Sequence, residues 1–142
     1  MSNKFSIVIP TFENSDYLNL CINSILKNSH FSHQIIVHIN GHDEKTEKIL
    51  LEKKITYTKS FKNIGLCSGV NIASEKVSTN YILYSHDDMY FLPEWDLFLY
   101  EEVKKINHNN FYLSMTHISH ISGVKGDMQH IRYNCGTNIH EF

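Results

Sequence analysis

The stretch Phe5-Ser6-Ile7-Val8-Ile9-Pro10-Thr11-Phe12-Glu13-Asn14 decides the fold. Phe5 to Ile9 is a short β-branched run closed by Pro10, which suits a strand buried in a parallel sheet better than the alternating pattern of a meander. Ser15 or Asp16 can cap a following helix, whose Leu18, Cys21, Ile22, Ile25 and Leu26 recur on one face. Gln34 to Ile39 is a second apolar strand, broken by Asn40-Gly41, and Asp43 then opens a charged helix that buries Ile49 and Leu50. A short strand over Ile55 to Thr58, a helix over 66–76 with Val70, Ile72 and Ala73, and a strand over Tyr81 to Tyr84 continue the alternation. Pro93 suits a first helical turn, with Trp95, Leu99, Val103 and Ile106 as the stripe behind it, and Phe111 to Met115 reads as one more strand. Beyond residue 117, Ile118, Ile121, Val124 and Ile131 follow neither period. Strands alternating with helices imply an α/β fold, a mostly parallel sheet with helices on both faces and a ligand site beyond the carboxyl ends of the strands.

Composition narrows the function classes. The chain has 142 residues, 42% of them hydrophobic, and a net charge of −2, which suits one globular domain and excludes a general nucleic-acid binder. No apolar run reaches the roughly 18 residues of a membrane span, and the polar Ser2, Asn3 and Lys4 precede too short an apolar run for a signal peptide. Cys21, Cys67 and Cys135 are widely spaced with no Cys-x-x-Cys pair, which fits a reducing compartment and packing roles. The expected location is therefore the cytoplasm, at most peripheral at a membrane surface.

Four irregular polar segments fall at or near strand ends: Pro10-Thr11-Phe12-Glu13, Asn40-Gly41, Asn63-Ile64-Gly65 and His86-Asp87-Asp88. Two adjacent carboxylates after an apolar strand repel one another unless solvent, a proton or a cation offsets the charge, so the Asp pair points to a hard divalent metal or to a solvated acidic turn. The ten histidines invite a separate metal reading. His117 and His120 are three apart, with His130 and His140 beyond, but no known zinc pattern contains them, and they read as surface or hydrogen-bonding residues.

These segments carry a resemblance. Ser6 to Asn14 resembles the opening strand and loop of family 2 glycosyltransferases of the GT-A fold, and Ile35 to His42 resembles that family's second strand with its acidic-Gly-Ser turn. Asn63-Ile64-Gly65-Leu66-Cys67-Ser68-Gly69-Val70-Asn71 is similar to the family's Asn-x-Gly helix start with a later Asn, and Tyr81 to Asp88, followed by Pro93 and Trp95, is similar to its Asp-x-Asp strand. The likeness covers roughly residues 5 to 106.

The resemblance implies transfer of a sugar from a nucleotide-diphosphate sugar to a hydroxyl of a glycan or lipid-linked acceptor, metal-dependent and inverting. It implies Asp88 as ligand of Mn²⁺ or Mg²⁺, with His86 beside it at the motif's first position, and Asp87 at the ribose. Pro10, Thr11, Phe12 and Glu13 would line the base and ribose pocket. Asn63, Gly65 and Asn71 would serve the loop's geometry as much as the ligand, with Asn71 expected as a buried structural amide. Ile39 and Asn40 stand where the family has an aspartate that reads the base, which leaves Asn40 as the local replacement.

The expected organisation is one domain over 1–142. Residues 1–106 form its nucleotide-sugar and metal-binding part, and 107–142 a partial acceptor-side region. The family's general base lies well downstream of the metal motif, and Asp127 and Glu141 are the acidic residues available there, neither in a matching motif. The short remainder leaves open a fragment, a truncated homologue, or a site completed by a partner subunit or homo-oligomer. It also leaves open a catalytically incompetent nucleotide-binding or assembly module.

Overall fold

The computed structural model describes residues 3–114, together with the backbone of residues 117–119 and 130–132. The chain divides into two compact units, Met1–Glu102 and Val103–Phe142.

In the first unit the elements run β1 (Ser6–Thr11), α1 (Ser15–Asn28), β2 (Gln34–Asn40), α2 (Glu44–Glu52), β3 (Thr56–Ser60), α3 (Leu66–Ser74) and β4 (Ile82–Tyr84). The strands form one sheet in the order β3-β2-β1-β4, and every pairing in it is parallel. This is the expected α/β architecture. Right-handed crossovers carry the chain from β1 to β2 to β3 on one face and back to β4 on the other. Accordingly α1 and α2 pack together, while α3 packs on β1 and β2. The core is the continuous apolar run of β1 and β2 with Leu18, Cys21, Ile22 and Ile25 of α1, all essentially buried. Helix α4 (Trp95–Lys105) follows.

Several local expectations shift. β1 does not stop before Pro10 but runs through it to Thr11. The Phe5 carbonyl accepts from Gln34 of β2, whereas the Ser6 amide and Val8 carbonyl bond Tyr81 and Ser85 on the β4 side. Pro10 shares the parity of Ser6 and Val8, so its missing N–H faces β4, and the ladder to β2 continues undisturbed. The N-cap of α1 is Asn14 rather than Ser15 or Asp16, and Leu26 is exposed, outside the buried stripe. α2 buries Thr46 and Leu50, with Asp43 accepting the Thr46 amide as its cap, while Ile49 is half-buried. β4, apolar in sequence, is an edge of the sheet among the described residues, with Ile82 and Tyr84 exposed. Residues 111–114 form no strand, and Met115 lies outside the described residues.

In the second unit β5 (His117–Ser119) and β6 (His130–Arg132) make a two-stranded parallel pair. His120, Asp127, His140 and Glu141 lie outside the described residues, as do the side chains of His117 and His130.

α3 sits close against β2 because its facing residues are small. Ile36 clusters with Ala73, the His38 ring lies against Gly69, and Asn40 bonds the Gly65 carbonyl. Two strand residues advance about 6.6 Å and four helix residues about 6 Å, so the three contacts stay in step along both elements.

Candidate functional site

The order β3-β2-β1-β4 reverses direction between β1 and β4. In a parallel sheet the crevice beyond the carboxyl ends at such a reversal is where ligands bind, because the loops on its two sides diverge to opposite faces. Thr11, the last residue of β1, donates its hydroxyl hydrogen to Asp87 Oδ2 at 2.6 Å across this crevice.

The other strand-end segments join the same surface. The Phe12 ring lies over Gly41, where a Cβ would approach it to 3.4 Å and come within 3.9 Å of the Asn63 amide nitrogen. Gly41 also has φ 119°, a conformation open to glycine and strained for other residues. Asn40 Oδ1 accepts the Ile64 N–H at 2.7 Å, and its Nδ2 donates to the Gly65 carbonyl at 3.3 Å. Asn63 Oδ1 accepts the Gly65 N–H at 2.9 Å, an Asx turn that leads into α3. Direct contacts thus link all four segments singled out in the sequence. Phe12, Glu13, Asn63 and Gly65 are exposed, and Pro10, Thr11 and Asn40 are buried. Glu13 holds φ 50°, so backbone strain sits in the β1 loop itself. Glu13, Ser15, His42, Asp43 and Glu44 line an open depression of about 520 Å³ beside that loop. Asn71, expected as a buried amide, is exposed on α3.

The acidic loop after β4 is held by residues that sequence reasoning did not single out as part of the site. Cys21 donates its thiol hydrogen to the His86 carbonyl at 3.7 Å, and Ser24 Oγ accepts the Phe91 N–H at 3.0 Å. Asn28 Nδ2 donates to the Phe91 carbonyl at 2.6 Å, and the Asn28 carbonyl accepts the Glu94 N–H at 2.8 Å. Cys21, Ser24 and Asn28 recur at i, i+3 and i+7, so small polar residues within an apolar stripe were the available signal. Asp96 was also missed. Wholly buried, it accepts from the His30 and Phe31 amides and from His33 Nε2, which ties α4 to the α1–β2 connection.

Electrostatics at the β4 end are negative. Burial pushes the Cys21 thiol up to about 12, a hydrogen bond from Ser85 pulls the other way, and the charges of Asp87 and Asp88 add to the rise. Tyr84 is raised by burial first and then by Cys67, Asp87 and Asp88. His86 Nε2 lies 3.2 Å from the Tyr84 hydroxyl. Among the described residues no three His, Cys, Asp or Glu side chains cluster to hold a metal ion. Mg²⁺-type sites commonly take one or two protein carboxylates and complete their shell with phosphate oxygens and water. Asp88 is exposed in this loop and Asp87 half-buried, so one or two carboxylates could join such a shell there.

Comparisons with known proteins bear on the family and the fold. An uncharacterized glycosyltransferase of Rickettsia bellii (strain RML369-C) is 29% identical over 118 residues, which are 80% of this chain and 16% of that protein. Another, from Rickettsia typhi (strain ATCC VR-144 / Wilmington), is 34% identical over 90 residues, 61% of this chain and 28% of that protein. The chain thus spans well under a third of the length of these curated relatives. The crystal structure of S. aureus TarS shares the fold with a TM-score of 0.65 at 18% identity, over 80% of this chain and 24% of TarS. A second TarS structure, of residues 1–349, matches with a TM-score of 0.66 over 39% of its length. The family model described as glycosyl transferase family 2 matches residues 6–140, nearly the whole sequence, and the chain belongs to that family.

Proposed function

We propose that this chain forms the donor side of an inverting glycosyltransferase, which moves a sugar from a nucleotide-diphosphate sugar to an acceptor hydroxyl of a glycan or lipid-linked sugar. The observation that supports it most is the Thr11–Asp87 hydrogen bond at the sheet's reversal point, which joins the β1 loop to the acidic loop. In this reading Pro10, Thr11, Phe12 and Glu13 form one wall of the nucleotide pocket, with the exposed Phe12 ring as stacking face. Asn63, Gly65 and the first turn of α3 form the opposite wall, and Asn71 extends it along the helix. Asp87, fixed by Thr11, reaches the ribose, and Asp88 with His86 holds Mn²⁺ or Mg²⁺. When bound, the cation supplies Lewis-acid neutralisation of the departing diphosphate. Residues 107–142 belong to the acceptor side, where Asp127 and Glu141 are the candidates for the base that takes the acceptor's proton. The location proposed with this reading is the cytoplasm, at most peripheral at a membrane surface.

Calorimetric titration of the chain with UDP, GDP, CDP and dTDP, with and without Mn²⁺, tests the reading beside Asp88→Asn. Metal-dependent binding that the variant loses is the expected result, and absence of binding to all four nucleotides refutes it. Transfer or hydrolysis of a nucleotide sugar then identifies a chain that is catalytic by itself, whereas binding without turnover identifies a donor-binding part, of a larger enzyme or of a non-catalytic module.

A further inference from the structure

Asn40 occupies the position where the resemblance expects a side chain that reads the base, yet its hydrogen-bonding groups are directed elsewhere. It is 5% exposed. Its Oδ1 accepts the Ile64 N–H at 2.7 Å, while the Ser60 hydroxyl, 3.4 Å away, donates at 2.8 Å to the Lys62 carbonyl. With the side chain almost wholly buried and both ends of its amide turned to the backbone of residues 64 and 65, a nucleobase would have to displace the loop to reach it. Its Nδ2 donates to the Gly65 carbonyl at 3.3 Å, and the same carbonyl accepts the Gly69 N–H in the first turn of α3.

We infer that Asn40 is a positioning residue that sets the 60–65 loop and the start of α3, and so shapes the donor pocket alike for every nucleotide instead of choosing among bases. The inference rests on the donor-site reading above. It draws independent support from the packing of β2 on α3. Ile36 clusters with Ala73 and His38 lies against Gly69, two contacts that are apolar or steric and leave the helix start unspecified. Asn40 is the third contact in that row, and it bonds backbone groups of both Ile64 and Gly65. The fixed loop aligns the Asn63 Asx turn, which in turn directs the Gly65 amide. Gly65 at φ 87° then turns the chain into the helix.

Amide hydrogen exchange and nucleotide titration together test the assignment. Asn40→Ser has too short a side chain to reach the Ile64 amide, and it should raise Ile64 exchange about tenfold, the effect of losing roughly one hydrogen bond. The affinities for UDP, GDP, CDP and dTDP should fall by one common factor. Asn40→Asp keeps an acceptor for the Ile64 amide and should restore its protection. Unchanged Ile64 exchange in the folded Asn40→Ser protein overturns the inference. So does a change in the ranking of the four nucleotides in Asn40→Ser. Failure of the wild-type chain to bind any nucleotide overturns the donor-site reading instead, and Ile64 exchange reports on the clamp separately.

Discussion

Replacing Gly69 by alanine sets two known effects against each other. In an exposed helix interior the change gains about 1 kcal/mol, because glycine has more backbone freedom to lose on folding. Here the new methyl would stand 2.7 Å from His38 Cδ2, closer than carbon atoms pack. The ring cannot swing away freely. It is fully buried, and its Nδ1 is hydrogen-bonded to Thr58 Oγ1 at 2.8 Å. Overpacking of this kind costs about 1–3 kcal/mol, and breaking the Thr58 bond to relieve it costs about 1 kcal/mol. The expected net effect of Gly69→Ala is a loss of about 1 kcal/mol. At a urea m-value of about 2 kcal/mol/M the midpoint falls by about 0.5 M, measured by circular dichroism. In a His38→Ala background the same change should instead raise stability by up to about 1 kcal/mol. A single variant as stable as the wild type, or more so, refutes the claim that α3 touches β2 through this residue.

Asp96→Ala leaves the His30 and Phe31 amides and the His33 imidazole without their acceptor, and should cost about 3 kcal/mol in urea denaturation, with Asp96→Asn losing less. Burial opposes the Asp96 charge, but the amides of His30 and Phe31 and the His33 ring outweigh it and hold the carboxyl below its usual range. Burial also lowers His33 more than Asp96 raises it, so their contact is a hydrogen bond from a neutral ring; His38 is lowered by burial alone. All three depressed values act in one direction. The histidine contribution is complete above about pH 6.5 and is lost as pH falls below it, and the Asp96 contribution follows below about 3.8, so His38→Gln should flatten the upper step of an acid titration. Iodoacetamide should label exposed Cys67 in the native protein but reach buried Cys21 only after unfolding, as read by peptide mass spectrometry. Thr11→Val removes the hydroxyl bonded to Asp87 and should weaken Mn²⁺-dependent UDP binding about tenfold while the fold persists, checked by calorimetry and circular dichroism.

The architecture was legible because burial on both faces leaves an unmistakable pattern. Ile7-Val8-Ile9 and Ile35-Ile36-Val37 can serve only as central strands, and the helices between them force parallel pairing. What stayed hidden depends on direction in space. Pro10 reads as a strand end until it is known which neighbour its missing N–H faces. Phe111 to Leu113 has a strand's composition, but composition does not supply a partner edge. The site segments were visible as polar interruptions, whereas the orientation of the Asn40 amide was not, since the same residue can face a ligand or a loop. Ser24, Asn28 and Asp96 act through backbone groups distant in sequence, and nothing local marks those partners.

Pro10 has a consequence for the shape of the pocket. The β1–β4 ladder ends where the Val8 carbonyl accepts the Ser85 N–H. The next bond along that edge would need a proton on the nitrogen of residue 10, and an imino acid has none. The strand after Ser85 is therefore released from the sheet, and His86, Asp87 and Asp88 leave it as a loop fastened to α1 by side chains. A cleft is usually described by the atoms that line it; this one opens where the chain lacks a single hydrogen.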